Sequence, residues 1–244
     1  MFVGCKHRPH HPEKHRLARE LRVAGMPFKR IAKELEISPA TAHRWTSDIE
    51  LTAAQQSAID AEMREVRAAR VARWSEQCRS KRRGYQEEGR RKAREGDQLH
   101  LSGCMLYWAE GSKERNGLLF ANSDPAMVGL YGRFLRDSLL VPADRITVRV
   151  NVYLRNGLTI EDVESYWLEI LDLPSACLRK HVINHFPTSS SGRRRHKLPY
   201  GVCMVSVTST RVVQHVFGAI QEYSGFDQPG WLDGPPSTKV SAQQ

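Results

Sequence analysis

The sequence contains no run of about 18 apolar residues, so no membrane-spanning helix is expected. Its opening, MFVGCKHRPHH, lacks the apolar centre of a secretory signal, and the chain is expected to stay in the cytoplasm. Cysteine is sparse. Cys5, Cys78, Cys104, Cys177 and Cys203 lie far apart with no CxxC pair, and an odd count fits free thiols in a reducing compartment better than a disulfide framework. The same spacing argues against a structural zinc site, and the crowding of Cys5, His7, His10, His11 and His15 reads as a flexible basic arm. Negative charge is also in short supply: 27 Asp and Glu against 37 Lys and Arg leave a formal charge of +10. That excess points to a polyanionic partner, whose kind charge alone does not identify.

What is present divides the 244 residues into parts, and two domains are expected. After an arm over 1–12, residues 13–51 read as three helices with a chemical cause at each boundary. Gly25 takes the left-handed conformation that closes the first, Pro27 belongs in a first turn, and Ser38 caps the third ahead of Pro39. Residues 52–97 are rich in Ala, Arg, Glu and Gln, which predicts a solvated helical linker interrupted or ended at Gly84, Gly89 and Gly96. Between 64 and 94, twelve Lys or Arg face four Glu, a net of +8, and Arg64, Arg67, Arg70 and Arg73 spiral around the helix at spacing three.

From 98 to 224, helical and strand patterns alternate as in a mixed α/β domain: helix 98–109, strand 117–122, helix 125–140, strand 145–154, helix 159–171, strands 180–186 and 200–208, helix 210–223. The period-two run from Arg145 to Val152 predicts a buried face of Ile146, Val148, Val150 and Val152 and an outer face of Arg145, Thr147, Arg149 and Asn151. SSSGRRRHK is a polar loop carrying Arg193, Arg194, Arg195 and Lys197, and 225–244 reads as a disordered tail. Tyr107, Trp108, Tyr131, Phe134, Tyr166 and Trp167 suit a core, while His181, His185 and His215 form no recognisable ligand pair. The expected fold class is therefore α+β.

The run GMPFKRIAKELEISPATAHRW resembles the helix-turn-helix of resolvases and of phage or bacterial regulators. The resemblance implies that the third helix enters the major groove of double-stranded DNA, with Thr41, His43 and Arg44 near base edges. Lys29, Arg30 and Lys33 are then placed for phosphates, which fix position without reading sequence.

Residues 103–111, GCMLYWAEG, resemble the signature of the LAGLIDADG homing-endonuclease superfamily, with Leu106, Ala109 and Gly111 matching and Glu110 where that family places its metal-binding acid. FANSDPAMV and SYWLEIL extend the likeness to a single-motif branch over about 98–224. It departs at Met105, where the family often has a small residue, and between Gly111 and Asp124, which has room for one strand where the family has two. The resemblance implies a homodimer if the protein cuts DNA, with Glu110 as Mg²⁺ ligand and Lys113 near the scissile phosphate. The expected function is a sequence-specific DNA-binding regulator needing no cofactor, with Arg145, Arg149 and the 193–197 cations adding DNA contacts. The alternatives are a Mg²⁺-dependent site-specific endonuclease and an RNA-binding protein.

Overall fold

Three short helices open the chain: α1 (Pro12–Val23), α2 (Phe28–Glu34) and α3 (Pro39–Thr46). The computed structural model describes residues 11–154, 157–184 and 198–233. Residues 1–10, His185 and the cations Arg193, Arg194, Arg195 and Lys197 lie outside this range. The architecture is mixed α+β, with eight α-helices and a four-stranded sheet among the described residues. The chain divides into two compact units, Met1–Glu76 and Gln77–Gln244.

In the first unit the helix ends follow local chemistry. Gly25 has φ 92° and stops α1, and the Ser38 hydroxyl accepts a hydrogen bond from the Thr41 N–H at 3.1 Å, capping α3 behind Pro39. Ala18, Ile31, Ala32, Leu35, Ala42 and Trp45 form the core, with Leu21, Met26, Phe28 and Ile37 around it. Leu17 and Val23 are 44% and 65% exposed, and it is Leu21 and Met26 that pack on this core from α1 and the turn after it. Arg19 holds the end of α3 to α1, donating to both Asp48 carboxylate oxygens at 2.7 Å and to the Trp45 carbonyl at 3.0 Å. Those bonds lower the Asp48 pKa below its ordinary value.

The helix α4 (Ala53–Ala93) opens on a reciprocal cap between Thr52 and Gln55. It runs unbroken through Gly84 and Gly89, contrary to the sequence expectation, and only Gly96 (φ 76°) marks its end. Nor is its last third a solvated linker: Arg82, Gln86, Gly89 and Ala93 are buried in the second unit.

That unit continues with α5 (Gln98–Glu110), β1 (Leu118–Asn122), α6 (Pro125–Arg133), β2 (Ile146–Tyr153), α7 (Ile160–Leu171), β3 (Val182–Asn184), β4 (Val202–Val207) and α8 (Thr210–Ser224). The strand order is β1-β4-β2-β3; β4 is antiparallel to both neighbours and β3 runs parallel to β2. The register aligns Phe120, Val205 and Val148 across three strands. The alternation predicted for β2 is present: Ile146, Val148, Val150 and Val152 are fully buried. One core joins that sheet face to α5, α6, α7 and α8, with Trp167, Tyr107, Tyr131 and Phe120 its largest members. Each large apolar side chain so buried contributes about 1.5–3 kcal/mol.

The predicted helix 125–140 ends early. A π-helical turn (Phe134–Ser138) follows α6, and Leu140 takes a left-handed φ of 51°. Residues after α8 are not all tail: Gly225 (φ 72°) closes α8, and a 3-10 turn (Pro229–Leu232) brings Trp231 onto Phe217, ring centroids 4.8 Å apart. Trp108, expected inside, is 39% exposed beside Phe226.

Candidate nucleic-acid interface and acidic site

In α3 the inward positions Ala42 and Trp45 anchor the helix, which leaves Pro39, Ala40, His43, Arg44 and Ser47 exposed. The sequence-predicted contacts divide into two kinds. Lys29, Lys33 and Arg44 are exposed and make no ion pair among the described residues. Arg30 pairs with Glu62 of α4 at 3.4 Å with both partners exposed, a contact worth little in water. Thr41 is engaged in the cap, its hydroxyl 2.8 Å from that of Ser38, and the His43 ring meets Phe28 edge-on at 5.3 Å. The α2–α3 connection runs through Glu36, whose φ of 50° is a left-handed conformation held by a non-glycine residue.

Along α4 the run of cations separates in the same way. Arg64, Arg67, Arg70 and Arg73 are exposed with no ion pair among the described residues. Further on, Arg79 and Arg82 pair with Asp233, Arg90 with Asp227 and Glu222, and Arg94 with Glu222. The charge of the second stretch is largely met within its own unit.

Glu110 is the last residue of α5 and is exposed. Gly111 follows because a Cβ there would lie 2.2 Å from the Tyr107 ring, and its backbone bridges to Phe120 of β1. The Lys113 ammonium donates to the Gly111 carbonyl at 2.7 Å. Burial lowers the Lys113 pKa, against the opposing pull of Glu110. Among the described residues no group of three or more His, Cys, Asp or Glu could hold a metal ion. Mg²⁺ is usually held by one or two carboxylates, with waters and substrate phosphates completing its shell, so Glu110 would be the one carboxylate that a single chain brings to such an ion at this helix end. Met105 is half-buried and packs against the core.

Arg149 and Asn151 are exposed on the outer sheet face with Thr147 half-buried beside them; Thr147 and Ser206 of the adjacent strand bring their hydroxyls within 2.6 Å. Arg145 was expected in that row. It instead ends a 3-10 turn (Ala143–Arg145) and lines a cavity with Arg91, Lys92 and Arg211. Sequence reasoning missed this cavity because its walls come from well-separated segments. It also missed a pair of histidines, His100 buried and His215 half-buried: His215 Nε2 lies 3.1 Å from His100 Nε2, and His100 Nδ1 lies 2.8 Å from the Tyr223 hydroxyl. His181 is structural, its Nδ1 accepting from the Val150 N–H at 3.0 Å while Nε2 meets Glu164 at 2.7 Å.

No described helix is long and apolar enough to cross a membrane, and Cys78, Cys104, Cys177 and Cys203 are free thiols. Compared with known protein families, curated proteins and solved structures, the chain matches none.

Proposed function

We propose that the protein is a sequence-specific double-stranded-DNA-binding protein of the regulator kind, whose first three helices act as a helix-turn-helix. The observation that carries the reading is the unpaired, exposed set Lys29, Lys33 and Arg44 on α2 and α3, beside a helix whose opposite face is fixed by Ala42 and Trp45. Arg44 presents a planar fork of donors that matches guanine O6 and N7, while Lys29 and Lys33 suit phosphates. The unpaired Arg64–Arg73 spiral adds positive charge without sequence information. The outer sheet face with Arg149 supplies a second DNA surface in the manner of a LAGLIDADG-like domain.

The test is selection of bound duplexes from a random pool, followed by anisotropy titrations of winner and random DNA. Arg44→Ala is expected to reduce discrimination by about tenfold or more, the value of one bidentate base contact. Lys29→Ala and Lys33→Ala should weaken both duplexes alike and flatten the salt dependence. Equal losses on both duplexes for Arg44→Ala, or tighter retention of RNA at matched salt, would overturn the reading.

A Mg²⁺-dependent endonuclease is the second reading, favoured by the exposed carboxylate of Glu110 at the end of a core helix. It requires a second copy to bring another carboxylate, hence a homodimer. Mg²⁺-dependent cutting of plasmid bearing the selected site, lost in Glu110→Gln, would establish it; intact plasmid leaves the binder.

A further inference from the structure

The second unit holds a cavity of about 810 Å³ between the end of α4, the segment after α6 and the start of α8. That is within the range of small-molecule sites, roughly 300–1,000 Å³. Four cations line it, Arg91, Lys92, Arg145 and Arg211, against one carboxylate, Glu88. Lys92 is held by Glu95 and Asp97, at 2.9 and 3.3 Å, and Arg211 by Glu88 at 3.0 Å. Arg91 and Arg145 have no side-chain partner among the described residues. Two unmatched guanidiniums on the wall of one cavity leave their planar donor sets open for an anion with several oxygens.

The lining also includes an aliphatic group, Leu139, Leu140 and Val141 with Val207 and Val212. Its construction is unusual. The π-helical turn precedes it, and Leu140 is both left-handed (φ 51°) and 76% exposed. A large apolar side chain on strained backbone at the rim of a charged cavity is a combination that packing does not require, and such strain collects at ligand clamps.

We propose that this cavity binds a nucleoside phosphate, the phosphate taken by Arg91 and Arg145 and the base laid against the Leu139–Val141 wall. Glu88, fixed by Arg211, is an acceptor for a ligand hydroxyl or amino group. The same chemistry is offered by a free nucleotide and by the 5′-phosphorylated end of a nucleic-acid strand. The proposal is independent of the α3 interface.

Calorimetric titration of the full chain with AMP, ATP, adenosine, inorganic phosphate and a 5′-phosphorylated single-stranded hexamer tests it. AMP or ATP should bind saturably, with adenosine and inorganic phosphate each weaker by about tenfold or more. Arg91→Ala and Arg145→Ala should each lose about tenfold. Leu140→Gly keeps the left-handed backbone and should fold normally by thermal melt, yet weaken AMP. Tighter binding of the hexamer than of AMP, lost when its 5′-phosphate is removed, assigns a strand end; AMP equal or tighter assigns the free nucleotide. The proposal is overturned by no saturable binding of any probe up to millimolar concentration, or by AMP binding unchanged in Arg91→Ala and Leu140→Gly. Displacement of AMP by a blunt duplex lacking 5′-phosphates would also overturn it, by making the cavity part of a backbone-contact surface.

Discussion

Glu36 sits between α2 and α3 at φ 50°, where an L side chain crowds the backbone and glycine does not. Its side chain is exposed, so nothing in the core depends on it. Glu36→Gly should therefore stabilise the first unit, by about 0.5–1 kcal/mol after the added chain entropy of glycine is offset. Amide exchange across Ile31–Trp45 checks this, with protection expected to rise a few-fold; unchanged or faster exchange would show that Glu36 is not strained. Local chemistry of this kind was readable in the sequence wherever one residue decides the outcome. Ser38, Pro39 and Gly25 each act on their own backbone neighbours, and each stands where its residue type predicts. Leu17 and Val23 stay exposed because hydrophobicity says that a side chain favours burial, not that it has a neighbour to pack against.

The element that the sequence misrepresented most is α4. Its buried stripe, Arg82, Gln86, Gly89 and Ala93, has helical spacing yet carries no large apolar residue, so hydropathy is blind to it. The stripe exists because two glycines let α4 and α8 cross closely. A Cβ at Gly89 would lie 1.9 Å from the His215 carbonyl oxygen, and one at Gly218 would lie 2.0 Å from that of Gln86. Buried glutamines then join the helices, Gln86 Nε2 donating to Gln214 Oε1 at 2.7 Å. Backbone cannot retreat as a flexible side chain can, so Gly218→Ala should destabilise by on the order of 3 kcal/mol. Gly84 meets nothing within 4 Å, and Gly84→Ala should instead stabilise by roughly 0.5–1 kcal/mol through helix propensity. Urea unfolding followed by tryptophan fluorescence distinguishes the two; substitutions of the same sign would defeat the crossing argument. By contrast, β2 was legible residue by residue, because four β-branched side chains at period two leave a strand little choice of face.

At the scale of the molecule, the net charge was readable but its distribution was not. Asp227 and Asp233, from the segment read as tail, fold back onto the arginines of α4, and no local pattern links residues about 150 positions apart. A separation of 115 positions likewise hid His100 and His215, which meet between α5 and α8. Burial, reinforced by His215, pushes His100 from its ordinary 6.5 down to about 4, and burial lowers His215 too. Asp97, Glu95 and Glu88 pull the other way, Lys92 and Arg211 add to the lowering, and Tyr223 and Cys104 complete the surroundings. Because the folded values lie below the unfolded ones, the pair's contribution is complete above pH 6.5. It is lost as pH falls toward 4, where the unfolded chain takes up protons that the folded one refuses. Asp97 and Glu222, both lowered by hydrogen bonds, keep their contribution through most of that window and lose it only at more acid pH. The second unit should thus lose roughly 2 kcal/mol between pH 7 and 4.5, ahead of its carboxylates. His215→Gln retains a polar partner for His100, removes one of the two lowered imidazoles and should flatten that slope. Denaturant titrations at several pH values, read on the buried Trp167, give the answer: stability that is level from pH 7 to 5 in the native sequence would mean that the two imidazoles are not held neutral by the fold.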